Sequence, residues 1–343
     1  MPIKKIKVLV VDDSAFMRLL ITDIISIDPK IEVIGSANDG KQAVDAVVKL
    51  KPDVLLLDMN MGEYDGLYAV KNIMHIHPLP ILILSSLGNT NLTSIFDALK
   101  LGAVDYINKP QKGNSKIRII GDELIQKIIN VSTAHPKKLV SKKRKLTLKS
   151  TSSAVELIAI GASTGGPSAL EEIISSLPST LTVPVLICQH MPPNFIEPFA
   201  NRLNKLSDLN VVIGKNAMIP LPGMIIIAPG DANMIIENNS NTGQNRIGFS
   251  EKKYKEYNNP SINAMMLSVS EIYGKNSIGI ILTGMGKDGT KGLSSIKNKG
   301  GYTISQDENS SIIYGMPKSA IESDATCKVL DIKEISRHLI SKL

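Results

Sequence analysis

Over its first 131 residues the chain repeats one unit five times, a short apolar run followed by a longer amphipathic stretch. The runs fall at 6–11, 31–34, 54–57, 81–84 and 105–107, and the helical stretches near 14–26, 40–50, 66–75, 94–101 and 118–131. This alternation predicts an α/β fold, a doubly wound five-stranded parallel sheet. Ligands of such sheets bind beyond the carboxyl ends of the strands, where the strand order reverses. The polar residues stand at that edge. Asp12 and Asp13 follow the first run, Asp58 the third, Ser85 and Ser86 the fourth, and Lys109 the fifth, ahead of Pro110. Each alone is compatible with a cap or a turn. Together, three carboxylates at one edge repel one another unless a hard cation joins them, and oxygen ligands with open positions suit Mg²⁺. An Asp carboxylate can also attack phosphorus to give an aspartyl phosphate, whose oxygens a lysine and a hydroxyl would hold.

The second organising stretch is 155–170, VELIAIGASTGGPSAL. It reads as a buried strand, a glycine-rich bend with Ser163 at its tip, and a helix opened by Pro167. The bend brings backbone N–H groups near the hydroxyl, and the helix N-terminus favours an oxyanion. The letters fit G-x-S-x-G, a nucleophile elbow. A small-residue packing loop or a phosphate cradle fits as well. A serine nucleophile needs a base, commonly oriented by a carboxylate. Of the five histidines, His190 alone ends an apolar run, VPVLICQH, so it falls at the same kind of edge as Ser163. Asp288, in TGMGKDG after the run 278–282, is the candidate acid, with Asp231 in APGD as second choice. A structural histidine and a turn-forming Asp are the plain alternatives. The order Ser–His–Asp differs from the Ser–Asp–His of α/β-hydrolases, so the elbow is no evidence for that fold. Further helices are expected near 168–177, 194–205 and 289–299, with strands in GMIIIAPG, MIIENN and RIGFS as a possible hairpin beside the sheet. SINAMMLSVSEIY reads as a helix whose Met265 and Met266 belong to the core.

A length of 343 residues accommodates two domains. No apolar run reaches the roughly 18–20 residues of a membrane span, and MPIKKIKVLVVDD leads straight into a strand, so a cytoplasmic chain without membrane insertion is expected. Cys188 and Cys327 form no framework, in keeping with a reducing compartment, and Cys188 reads as core. The formal charge of +7 equals the charge of one acid-free segment, with Lys137, Lys138, Lys142, Lys143, Arg144, Lys145 and Lys149. That segment reads as a solvated linker; a nucleic-acid patch would want aromatic platforms or a recognition helix, and none accompanies it. The expected division is 1–131, a linker at 132–153, and 154–343 with a mostly parallel sheet.

VLVVDDS, LLLDMNMGEYDG, ILILSS and YINKP resemble the response-regulator receiver family. The resemblance implies Asp58 as phosphoacceptor, Asp12, Asp13, Asp58 and the Asn60 carbonyl around Mg²⁺, Ser85 as switch hydroxyl and Lys109 as phosphoryl partner. Tyr106 fits the family's mobile aromatic, or is simply an amphipathic strand-end residue. Gly62 stands where the family usually has proline. GASTGGP, QHMPPNF, APGD, LTGMGKDG and ISQDENSSIIYGMPKSA resemble the chemotaxis protein-glutamate methylesterase family, CheB. This resemblance implies Ser163 as nucleophile, His190 as base then acid, Asp288 as its orienter, and backbone N–H groups at Thr164 and Met285 as oxyanion donors. It also implies methyl-accepting chemotaxis receptors as substrates, glutamine deamidation as second activity, a chemotaxis histidine kinase as phosphodonor, and no cofactor for the esterase reaction. Asn233 replaces the family's usual histidine and Asn263 its aspartate, and both are expected at the cleft rim. Phosphorylation of Asp58, adding about −1.5 to −2 charge, is expected to uncover the cleft near Ser163. The rival readings are a receiver with a nucleic-acid-binding output and a non-catalytic receptor adaptor.

Overall fold

The computed structural model describes residues 4–85, 92–109, 117–134, 136, 154–252 and 260–343. Ser86, Pro110 and the seven basic residues of the linker segment lie outside them. The chain divides into two units, Met1–Val140 and Ser141–Leu343.

The first unit runs β1 (Ile6–Val11), α1 (Ala15–Ile25), β2 (Ile31–Ala37), α2 (Gly40–Leu50), β3 (Val54–Asp58), α3 (Gly66–Ile76), β4 (Ile81–Ser85), α4 (Leu92–Leu101), β5 (Asp105–Asn108) and α5 (Ile117–Val131). Its sheet is parallel, in the order β2-β1-β3-β4-β5. Every residue of β3 and β4 is buried, which is why these strands read as unbroken apolar runs rather than alternating ones. Helices start where a side chain can satisfy a first-turn N–H: Ser14, Asp39 and Asp65 accept from Met17, Gln42 and Tyr68. The chain leaves β1 for the edge strand β2 and returns on the other side at β3. The order therefore reverses between the strand ends that carry Asp12 and Asp58.

The second unit runs β6 (Leu157–Ala162), α6 (Gly166–Ile174), β7 (Val185–Gln189), α7 (Pro193–Leu206), β8 (Asn210–Ile213), β9 (Met224–Ile227), β10 (Asn233–Asn238), β11 (Asn245–Ser250), α8 (Ile262–Tyr273), β12 (Ser277–Ile281), α9 (Thr290–Asn298), β13 (Tyr302–Gln306), α10 (Met316–Glu322), β14 (Lys328–Leu330) and α11 (Ile332–Ile340). Seven strands form one sheet, β14-β13-β12-β6-β7-β9-β8, with every pairing parallel. Of the three apolar runs read as a possible hairpin, the first is β9, inside this sheet. Among the described residues only β10 and β11 pair antiparallel, as a separate ribbon packed on α8. Met265 and Met266 of α8 are fully buried beside Leu293 and Ile296, and Cys188 is buried in the same core. The order here reverses between β6 and β12, the strands that lead to Ser163 and Asp288. Among the described residues no helix is long and apolar enough to cross a membrane.

Candidate functional site

Ser163 follows the last residue of the central strand β6, and His190 follows the last residue of its neighbour β7. Asp288 lies on the loop between β12 and α9, from the other side of β6. The three side chains meet. His190 Nδ1 is 3.1 Å from Ser163 Oγ, and Nε2 is 2.9 Å from Asp288 Oδ2. An ionised carboxylate only accepts, so the proton sits on Nε2 and the Nδ1 lone pair faces the serine hydroxyl. That tautomer can take a proton from Oγ as the oxygen attacks an electrophile. Both ring nitrogens are engaged in this way, which leaves none for Asp231, the second-choice acid.

Asp288 is 1% exposed, and its charge is held by more than the imidazole. Oδ2 accepts from Ile262 N–H at 2.8 Å, and Oδ1 accepts from Asn263 N–H and from Gly289 N–H, each at 2.9 Å. The Ser261 hydroxyl donates to Oδ1 at 3.3 Å. The carboxylate thus sits at the N-terminus of α8, where unpaired N–H groups and the helix dipole favour an anion. Burial alone would raise the Asp288 carboxyl, but the His190 contact and charge and the Asn263 and Ile262 N–H groups hold it below the ordinary carboxylate value.

Asn233 and Asn263 do not line a rim: both are buried behind Asp288. Asn233 Oδ1 accepts from Ser261 N–H at 2.8 Å while its Nδ2 donates to the Lys252 carbonyl, so it fixes the residue that caps α8. Asn263 Oδ1 accepts from Gly292 N–H at 2.9 Å, tying α8 to the first turn of α9. Sequence reasoning missed this support because most of its donors are backbone N–H groups, which no letter announces.

The bend after β6 closes with Gly165 at a φ of 76°, in the left-handed region. Thr164, one proposed oxyanion residue, occupies this bend. Met285, the other, is 41% exposed and follows Gly284, which packs directly against Ser163. A Cβ on Gly284 would fall 2.7 Å from Ser163 Cβ and 2.6 Å from Met316 Sδ. Neither distance is tolerated, so Gly284→Ala displaces the serine or the loop. A fluorophosphonate should then modify Ser163 roughly 10–100-fold more slowly than in the parent chain, as expected for a misplacement near 1 Å; an unchanged rate would show that the loop absorbs the methyl group.

In the first unit, Lys109 Nζ is 2.7 Å from Asp12 Oδ2 and 2.8 Å from Asp58 Oδ2. Asp12 and Asp58 are buried, Asp13 is exposed, and oxygens of all three lie within 4.8 Å of one another. Burial pushes the Asp58 carboxyl above its ordinary value against the pull of Lys109. Asp58 Oδ1 is buried without a hydrogen-bond partner among the described residues. An all-oxygen donor set with an orphaned carboxylate oxygen fits a hard divalent cation such as Mg²⁺. Ser85 ends β4, buried, and its carbonyl accepts from Lys109 N–H. Asn60 follows two residues after Asp58. Tyr106 is 7% exposed, and burial, with Asp105 and Glu123 adding to it, pushes its phenol well above the usual range. Gly62 has a φ of 70°, which proline cannot adopt, so the departure there belongs to the loop's own backbone.

Residues 158–339 match the family described as CheB methylesterase, and residues 8–120 the response regulator receiver domain. A protein-glutamate methylesterase/protein-glutamine glutaminase of Caldanaerobacter subterraneus subsp. tengcongensis is 39% identical, over 99% of this chain and 97% of its own. One of the same description from Pyrococcus horikoshii is 38% identical, over 98% and 93%. Among solved structures, the catalytic domain of Thermotoga maritima CheB methylesterase is 35% identical with a TM-score of 0.53, covering 55% of this chain and 99% of that one.

Proposed function

We propose that this chain, which belongs to the CheB methylesterase family and carries a receiver domain ahead of the esterase unit, is a phosphorylation-activated protein-glutamate methylesterase acting in the cytoplasm on chemotaxis receptors. The observation that carries the chemistry is the unbroken relay from Asp288 through His190 to Ser163. Ser163 Oγ attacks the γ-carbonyl carbon of a receptor glutamate methyl ester while His190 Nδ1 takes its proton. Thr164 and Met285 N–H groups receive the oxyanion. On collapse, the C–O bond to the methoxy group breaks, and His190 returns the proton so that methanol leaves. Water then attacks the acyl-enzyme, again giving up its proton to His190, and the glutamate carboxylate departs with Ser163 restored. The same groups serve glutamine, with ammonia leaving in place of methanol.

In the receiver unit, Asp58 is the phosphoacceptor. Asp12, Asp13, Asp58 and the Asn60 carbonyl would hold Mg²⁺, which when bound offsets negative charge around the incoming phosphoryl group. Lys109 and Ser85 hold the phosphoryl oxygens once they are in place, and Tyr106 lies beside that surface. A chemotaxis histidine kinase is the phosphodonor. The basic segment is a linker, with 1–131 and 154–343 on either side of it.

The test is methanol release from methylated receptor membranes, with and without a small phosphodonor and Mg²⁺. Release by the full chain is expected, and the donor should raise it within the roughly 5–150-fold range of coupling energies of about 1–3 kcal/mol. Asp58→Asn should lose that donor-dependent increase. No methanol from the wild-type chain under either condition would rule out the esterase reading, and an undiminished response in Asp58→Asn would rule out that phosphoacceptor.

A further inference from the structure

We infer that Gln189 is a positioning residue for the esterase reaction, an inference that rests on the reading of Ser163 and His190 given above. The ladder between β6 and β7 ends at the pair Ala162–Gln189. Ser163 and His190 lie one residue past that pair, each on its own strand, yet must hold a 3.1 Å contact between their side chains. Beyond the pair, one further backbone bond runs between the strands, from His190 N–H to the Ala162 carbonyl. The Gln189 side chain adds the next rung. Its Nε2 donates to the Ser163 carbonyl and to the His190 carbonyl, each at 3.0 Å. One buried amide therefore ties the backbone of the nucleophile to the backbone of the base.

The orientation of this amide is not arbitrary. Both contacts go to carbonyl oxygens, which only accept, so the nitrogen must face them. Oε1 then points into the interior without a hydrogen-bond partner among the described residues, in a side chain 2% exposed. Leaving a buried acceptor unpaired is destabilising, and a Leu or Met would avoid it. The molecule bears that cost at a position where an amide joins the two loops. It also keeps space for it: a Cβ on Gly166 would lie 2.0 Å from Oε1.

The rung reaches a third group. The peptide between Ser163 and Thr164 is planar and trans, so its N–H points opposite to its carbonyl. The Ser163 carbonyl is held by Gly166 N–H at 2.7 Å together with Gln189, and the Thr283 hydroxyl holds the Thr164 carbonyl at 3.0 Å. Fixing the Ser163 carbonyl fixes the direction of the Thr164 N–H, the proposed oxyanion donor. Gln189 thus sets the serine–imidazole contact and the oxyanion donor while touching neither substrate nor reacting atoms.

The experiment measures kcat and KM for methanol release by wild type, Gln189→Met and Gln189→Glu, each full length. Rates are normalised to the serine titrated by a fluorophosphonate carried to completion. Gln189→Met keeps the size without the donor, and Gln189→Glu sets oxygen against both carbonyls. In each, kcat per titrated site should fall about 10–100-fold with KM within two-fold of wild type. A role in folding alone would lower the titratable fraction and leave kcat per site unchanged. That result overturns the inference. Should either substitution prevent folding, Gly166→Ala, which displaces the amide without removing it, is judged by the same criterion. A wild-type chain that releases no methanol would defeat the functional reading and this inference together; an active wild type with kcat retained in the variants defeats the inference alone.

Discussion

Ser163→Ala should lower methanol release from methylated receptor membranes by about 10³–10⁶-fold, with thermal stability nearly unchanged. The side chain is only partly buried, and its hydroxyl meets the His190 ring at 3.1 Å. Removing one oxygen there opens no core cavity, so stability should move by no more than about 0.5 kcal/mol. What goes is the covalent route. In the proposed mechanism there is no acyl-enzyme without Oγ, and the residual rate expected is that of water activated by His190 beside the remaining oxyanion donors. The pairing of a large kinetic loss with a small thermal effect separates the assignment from a packing role, which would reverse the two. A variant within ten-fold of wild type would remove Ser163 from the mechanism.

Asp288→Asn should fail in both respects. Its carboxylate oxygens accept from Ile262, Asn263 and Gly289 N–H groups, the Ser261 hydroxyl and the His190 ring. An amide has one acceptor end, so its NH₂ must face donors whichever way it turns. If the amide oxygen stays with Asn263 and Gly289, NH₂ meets Ile262 and His190, and the imidazole is driven to the wrong tautomer. A kcat about 10⁴-fold below wild type is expected from that change. The unsatisfied N–H groups should cost about 2 kcal/mol, lowering Tm by roughly 4–8 °C in a domain of this size. The effect also has a pH signature. Asp288 titrates below the ordinary value of 3.8 in the folded chain, so its contribution to stability is complete above about pH 4. It is lost as pH falls through the depressed folded value. Urea midpoints of wild type and Asp288→Asn should differ at pH 6 and converge in that acid window. A constant gap across the window would mean that the carboxylate charge is not what the α8 N-terminus holds.

The legible part of this molecule is the strand-end pattern. Long apolar runs in β1, β3, β4, β6, β7 and β12 are buried on both faces, so their ends, and the polar residues just past them, stand out against the runs. His190, Asp12 and Asp58 stand out by that contrast, and Ser163 by the glycine-rich bend that follows one of the runs. Asp288 lies seven residues beyond β12 and was legible only through its glycine-rich loop. What remained hidden had no local signature. β14 has three residues, too few for any period to show, and β8, β13, α10 and α11 drew no assignment. The runs in β9 and β10 look alike in sequence, yet one joins the central sheet and the other a ribbon packed on α8, a choice made by tertiary pairing. Asn233 and Asn263 read as cleft-rim residues, since they are departures from the family outside the triad; backbone donors far along the chain draw them inside. Gln189 is invisible for a related reason, since its partners are two carbonyls.

The most direct measurement is the site of covalent modification. The full chain would be treated with a fluorophosphonate and digested, and the adduct located by mass spectrometry, in parallel with Ser163→Ala and His190→Ala. One adduct per chain is expected, on the peptide containing Ser163, absent from Ser163→Ala and formed at least 10²-fold more slowly in His190→Ala. An adduct on another serine, or methanol release by a chain whose Ser163 stays unmodified at saturating reagent, would contradict the account.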